Sequence, residues 1–212
     1  MRIVAVVGDF YHEERLYRET LEEIVKNKEG IDLSFTTREK LLEELKNHPD
    51  LVILGSENRL DPEEDEETLW LTEEGAEEID KYVRNGGSWL AWHAGLASYE
   101  MLPSYISMLG GYFTHHPDEH AEVTYTYKTH PLIKEETPSF KIKDEHYFIK
   151  VVGPINIFLD SSSIDGESVA GWTKKVEKGK VAVYAPSHTK EGLDSRSLQK
   201  DLSALIDWCT DN

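Results

Sequence analysis

Nine histidines occur in the chain; after His12 and His48 come His93, His115, His116, His120, His130, His146 and His188, in the half richest in irregular loops. Neutral imidazole is both a metal ligand and a base near neutral pH, so turns that gather several of these rings would create acid–base or metal chemistry. The most telling is His93. In Gly87-Ser-Trp-Leu-Ala-Trp-His93-Ala-Gly-Leu an apolar strand stops at a histidine followed by small residues. Enzymes with a nucleophile elbow place Ser or Cys there, projected over a sheet edge by a turn that admits only small neighbours. Here the elbow presents an imidazole.

Ser187-His188-Thr189 follows the apolar run Val181 to Ala185, as His93 follows residues 88 to 92. Both histidines are therefore expected at the carboxyl edge of a parallel sheet, where open α/β sheets bind ligands. Asp144-Glu145-His146-Tyr147 sets two carboxylates beside an imidazole, suited to acid, base or ligand roles or to structural hydrogen bonding. His116 and His120 are four apart, but Pro117 opposes the helix that would align them, so that stretch reads as a loop. No local spacing forms a zinc signature. A metal held by His with Asp or Glu would be zinc or another first-row divalent ion rather than calcium. Trp92 and Tyr99 lie nearest the elbow and are the aromatics best placed in sequence to stack on a sugar ring.

These residues need a scaffold, and the hydropathy pattern describes one. Arg2 to Gly8, Ile31 to Thr37 and Leu51 to Gly55 read as strands, separated by helical stripes at Tyr17, Leu21, Ile24 and Val25 and at Leu41, Leu42 and Leu45. Thr72 is suited to cap a helix that ends at Asn85-Gly-Gly87 before the strand 88 to 92. This alternation predicts a mostly parallel sheet with helices on both faces. From about Glu122 to Val176 short strands joined by polar turns predict an antiparallel extension. Gly179 to Ala185 returns to the buried pattern, and Leu198, Leu202, Leu205 and Cys209 line a closing helix. Neither a repeat nor a flexible linker interrupts the chain, which reads as a single domain over residues 1–212.

Asp and Glu number 41 against 23 Lys and Arg, a net charge of −18 that opposes nucleic acid and anionic membranes as partners. The acidic run Asp61 to Glu67 reads as a solvated loop without the ligand spacing of a calcium loop. The lone Cys209 has no internal disulfide partner, and its helical stripe implies burial. The chain opens directly on a strand, and no apolar run reaches the ~20 residues of a membrane span. A cytoplasmic location is expected, and aromatic loops with apolar surface suggest a homo-oligomer.

Together these segments resemble the ThuA-like family, associated with trehalose utilisation. The resemblance runs through Gly86-Gly87 with its strand and His93-Ala-Gly, then Leu109-Gly-Gly-Tyr-Phe-Thr-His-His116-Pro117 and Thr129-His130-Pro131. It continues through Asp144-Glu145-His-Tyr147 and Gly179-Lys-Val-Ala-Val-Tyr followed by Ser187-His188-Thr189. It implies an α/β fold of the flavodoxin-like, class I glutamine amidotransferase-like type, a three-layer sandwich. Those amidotransferases carry Cys at the elbow. Without a thiolate this chain has no acyl-enzyme route to release ammonia from glutamine, so that activity is excluded. What the resemblance adds is a sugar or oxidised sugar derivative as the substrate, on which His93, Asp144, Glu145 and His188 are expected to act, with Trp92, Tyr99, His116 and Tyr147 contacting it. Lyase, hydrolase and isomerase chemistry, with or without a divalent metal, are all compatible with these groups. The alternative is a domain that binds a carbohydrate metabolite or a protein without turnover.

Overall fold

Runs such as Ile3-Val-Ala-Val-Val and Leu51-Val-Ile-Leu have no polar face, so both sides of the strands they form must be covered. The computed structural model, which describes residues 1–63, 65–133 and 137–211, covers them with helices. The first half comprises β1 (Arg2–Val7), α1 (Glu14–Val25), β2 (Asp32–Phe35), α2 (Leu41–Leu45), β3 (Leu51–Gly55), β4 (Arg59–Asp61), β5 (Asp65–Leu69), α3 (Glu73–Arg84) and β6 (Ser88–Trp92). Next come α4 (Pro103–Leu109), β7 (Gly111–His115), β8 (Ala121–Tyr127), β9 (Phe140–Asp144) and β10 (Phe148–Val151). The chain closes with β11 (Asn156–Ser163), β12 (Gly166–Val176), β13 (Gly179–Tyr184), α5 (Lys190–Leu193) and α6 (Arg196–Thr210).

Nine strands form one sheet in the order β2-β1-β3-β6-β13-β12-β11-β8-β9. The first five are parallel, and β12, β11, β8 and β9 continue the sheet antiparallel. The α/β class and the antiparallel extension are therefore as the sequence predicts. Helices α1 and α6 pack together on one face, with α6 against β3, β6 and β13; α3 and α4 pack together against β13 on the other. Thr72 caps α3, its side chain accepting from the Gly75 N–H at 3.3 Å. Cys209 is buried on α6, and burial pushes its thiol up to about 12, which keeps it protonated and inert.

One local expectation is corrected. The acidic stretch is no simple loop: β4 and β5 pair as an antiparallel hairpin, although Glu64 lies outside the described residues. Strands β11 and β12 extend to Ser163 and from Gly166, because backbone pairing carries the polar residues 160–163 that hydropathy alone leaves out. Residues 111–115 form β7, paired with β10 in a separate two-stranded sheet that brings Phe113 and His116 towards the main sheet's carboxyl edge.

Direction explains the convergence at that edge. Strands β1, β3, β6 and β13 all end there, delivering the loops that begin at Gly8, Ser56, His93 and Ala185. Four successive antiparallel pairings restore the direction of β13 in β9, so Asp144 leaves at the same edge. The short α5 packs on β9 and links the two ends.

Candidate functional site

The elbow is real. His93 has φ of 45°, in the left-handed region that side chains rarely adopt. The turn closes because residue 95 is glycine: a Cβ there would stand 2.1 Å from the Leu54 carbonyl oxygen. Residues 93–96 are all buried, and Nδ1 of His93 donates to the Ala185 carbonyl oxygen at 2.7 Å. A carbonyl only accepts, so this bond places the proton on Nδ1 and leaves a lone pair on Nε2.

Three imidazoles meet there. Ring centroids lie 5.2 Å apart for His12 and His93, 5.3 Å for His12 and His188, and 5.1 Å for His93 and His188. Tyr147 stacks on His93 with centroids 4.2 Å apart. His12 hangs from the loop after β1. Its Nδ1 donates to Asp9 Oδ1 at 2.5 Å, and Asp9 also accepts the N–H groups of Tyr11, His12 and Glu57. In the neutral ring this bond puts the proton on Nδ1 and the lone pair on Nε2.

The two carboxylates of the 144–145 pair divide the work. Asp144 is buried, and its Oδ2 accepts from Ser187 Oγ, the N–H groups of His188 and Thr189, and Thr189 Oγ1; Oδ1 accepts the Glu145 N–H. Burial alone would push this carboxyl up, but His188, His93 and Ser187 overcome it and hold the group well below the usual carboxylate range. Asp144, expected among the acid–base residues, is thus a clamp that fixes the His188 turn.

Glu145 is the one that faces the rings. Oε2 lies 3.4 Å from His93 Nε2 and 3.8 Å from His188 Nδ1, and Oε1 lies 3.6 Å from His116 Nε2. Burial opposes its ionisation, yet the raised His188 imidazole beside it outweighs burial and holds the carboxyl below its ordinary value. Burial lowers His93 below its ordinary value and keeps it neutral. Burial also acts against charge on His188, but Asp144 outweighs it and raises this imidazole.

Two buried nitrogens, His93 Nε2 and His188 Nδ1, have no hydrogen-bond partner. Asp144 Oδ1 is 2.8 Å from His188 Nδ1 but off the line a hydrogen bond requires. One ligand atom each from His12, His93, Glu145 and His188 falls within 4.8 Å of the others. Tetrahedral zinc with bonds of ~2.0–2.1 Å sets its donors roughly 3.3 Å apart, so the four atoms, within 4.8 Å of one another, would draw in by up to about 1.5 Å to hold it.

The other histidines are distributed by the same loops. His116 lies in the cleft, its Nδ1 donating to Pro117 O at 2.7 Å, and His120 reaches the far side of the cluster with its ring 5.4 Å from His188. Both ring nitrogens of His146 are taken by Ser161 and Ser163, His130 bonds Thr173, and His115 stacks on Phe148. Trp92 and Tyr99, expected to contact substrate, are instead fully buried. Trp92 donates to the Pro186 carbonyl at 2.7 Å and packs on Tyr17, while Tyr99 donates to the Ser56 carbonyl at 2.8 Å. Their side chains turn under the elbow, where no sugar face reaches them. Sequence reasoning missed His12, Asp9 and Glu57. The signal that finds them is the strand order: it reverses between β1 and β3, the switch point where α/β sheets open a crevice.

Comparison with known proteins agrees with this architecture. Residues 2–209 match the family model ThuA, described as trehalose utilisation. The chain belongs to the ThuA family. A ThuA-like protein from Parabacteroides merdae superposes with a TM-score of 0.78 at 16% identity, covering 99% of this chain and 90% of that one. A ThuA-like protein from Bacteroides uniformis gives 0.74 at 18% identity, covering 99% and 91%. A β-galactosidase from Bacillus circulans gives 0.64 at 12% identity, where 97% of this chain covers 30% of that enzyme. At these identities the ThuA-like structures and the β-galactosidase share the fold alone. No curated protein matches the chain. None of the described helices is long and apolar enough to cross a membrane.

Proposed function

We propose that this ThuA protein is an enzyme of carbohydrate metabolism that acts on a sugar or oxidised sugar derivative at a divalent-metal site made by His12, His93, Glu145 and His188. The observation that carries the reading is the pair of partnerless buried nitrogens, His93 Nε2 and His188 Nδ1, turned towards Glu145. Buried polar atoms are nearly always satisfied, and leaving one unmade costs about 1–3 kcal/mol. Three imidazoles and one carboxylate are a donor set for zinc or a neighbouring first-row ion. Such an ion would polarise a carbonyl or hydroxyl oxygen of the substrate.

The chain's own residues supply the rest. Asp9 and the Ala185 carbonyl fix the tautomers of His12 and His93 from behind, as outer partners of metal-bound histidines do. Asp144 holds the His188 turn. His116, with Nδ1 protonated by its bond to Pro117, offers Nε2 to the cleft as a base for a substrate C–H or O–H. Tyr147 walls the cavity beside it. Membership of a trehalose utilisation family, and the occurrence of this fold within a β-galactosidase, support a sugar derivative as the substrate.

The test is turnover of trehalose and its oxidised derivatives before and after chelation. Activity that is lost on chelation, restored by zinc, and reduced by about 10²–10⁴-fold in His116→Ala with zinc retained supports the reading. Sugar binding without turnover on any of these compounds would move the protein to the binding class.

A further inference from the structure

Next to the imidazole cluster lies a cavity of about 330 Å³ lined by Tyr11, His12, Glu57, Phe113, Glu145 and Tyr147. Its size is at the small end for ligand sites, the scale of a single ring. Glu57 stands out among these residues. Its side chain is 2% exposed, and Oε2 accepts from Arg59 Nε at 2.8 Å and Ser98 Oγ at 3.0 Å. Oε1 is buried with no hydrogen-bond partner. Burial of an unfilled carboxylate oxygen is unfavourable, and a donor arriving from the cavity would remove the cost.

Charge narrows the identity of that donor. Arg59 already balances Glu57, and the imidazoles of His93, His116 and His188 surround Glu145. A cationic ligand finds the charge of Glu57 already matched by Arg59, whereas a neutral hydroxyl supplies the one O–H that Oε1 lacks. The cavity wall is also aromatic: Phe113, half-buried and packed 4.3 Å from the buried Tyr147 ring, suits the C–H face of a pyranose. Asp9 links Glu57 to the cluster. Its Oδ2 accepts the Glu57 N–H at 2.9 Å while Oδ1 holds the His12 ring, so the position of Glu57 relative to that imidazole is fixed by one carboxylate.

We propose that Glu57 is the hydroxyl-recognising residue of the cleft, its Oε1 accepting from one hydroxyl of a neutral pyranose whose apolar face rests on Phe113. The inference rests on the sugar-acting reading and adds to it the residue that selects a neutral, hydroxyl-bearing ring.

Isothermal titration with D-glucose, trehalose and D-glucosamine, on wild type and Glu57→Gln with zinc content measured for each, tests it. Wild type is expected to bind the neutral sugars, and Glu57→Gln to bind them about tenfold or more weakly, the scale of a hydrogen bond to a charged group. Zinc content should be unchanged. The 2-deoxy, 3-deoxy and 6-deoxy glucoses, titrated into wild type, need no variant to fold: a comparable loss confined to one of them supports the assignment. Equal binding of glucose and all three deoxy sugars overturns it. So does equal sugar binding by wild type and Glu57→Gln, tighter binding of glucosamine than glucose, or zinc-loaded wild type that binds neither neutral sugar, which would leave Oε1 to water. Sugar binding that depends on Glu57 in a protein without zinc would uphold this inference and contradict the metal reading.

Discussion

His12 and His93 share a construction: each donates its Nδ1 proton backwards and keeps a lone pair forwards. Asp9 is therefore the residue whose loss separates positioning from ligation. Asp9→Asn removes the charge behind His12 without removing a donor to the ion, and zinc affinity should fall by roughly 10–100-fold. His12→Ala or His93→Ala should cost more. Competition against a chromophoric chelator measures all three. His188 adds a proton count. Asp144 raises its imidazole, so ion binding near pH 7 must displace a proton that His93, held neutral by burial, does not carry. Zinc binding should therefore show an enthalpy that changes with the buffer's ionisation heat, and His188→Ala should reduce that dependence. At this scale the sequence was partly legible. His93, Glu145 and His188 stand out because each closes a strand beside small or acidic residues. His12 and Glu57 do not, because nothing in the local sequence says that β1 and β3 bracket the crevice.

The elements hold the site through two junctions that can be probed separately. At the elbow, Gly95→Ala would drive a Cβ into the Leu54 carbonyl, and neither partner is a flexible side-chain end. A loss of about 3 kcal/mol or more in denaturant-measured stability is expected, in the range of severe steric and strain mutations. The second junction is Asp201 of α6, which accepts from Tyr127 on β8 and from Tyr184 on β13. Burial, only partly offset by the two tyrosines, pushes its carboxyl up to about 6. A folded-state value above the unfolded one favours the protonated form. This contribution is full below about pH 3.8 and is lost as pH rises through about 6. The charged form above that pH costs roughly 3 kcal/mol, so Asp201→Asn should gain stability over wild type as pH goes from 4 to 7. Urea unfolding across that range checks it; a constant difference between the two proteins would refute it. The parallel strands were legible as unbroken apolar runs closed by glycine or small polar residues. The polar ends of β11 and β12, and the β7–β10 pair, were not, because their order comes from backbone pairing with neighbours distant in sequence.

For the molecule as a whole, a net charge of −18 makes the weak attachment of divalent ions to surface carboxylates a real competitor to a built site. Stability distinguishes them. An ion that binds only the folded chain, at a free concentration one hundred times its dissociation constant, adds about 2.7 kcal/mol. For a chain of 212 residues that raises the unfolding midpoint by roughly 5–10 °C. The rise should vanish in His93→Ala, which leaves every surface carboxylate in place. The most direct measurement is zinc content of protein purified without added metal, with X-ray absorption at the zinc edge on the same sample. One zinc per chain, coordinated by three imidazoles and one carboxylate at ~2.0–2.2 Å, is the predicted result. Stoichiometry near zero after zinc is supplied at neutral pH, or a shell of oxygens without imidazole, would contradict the account.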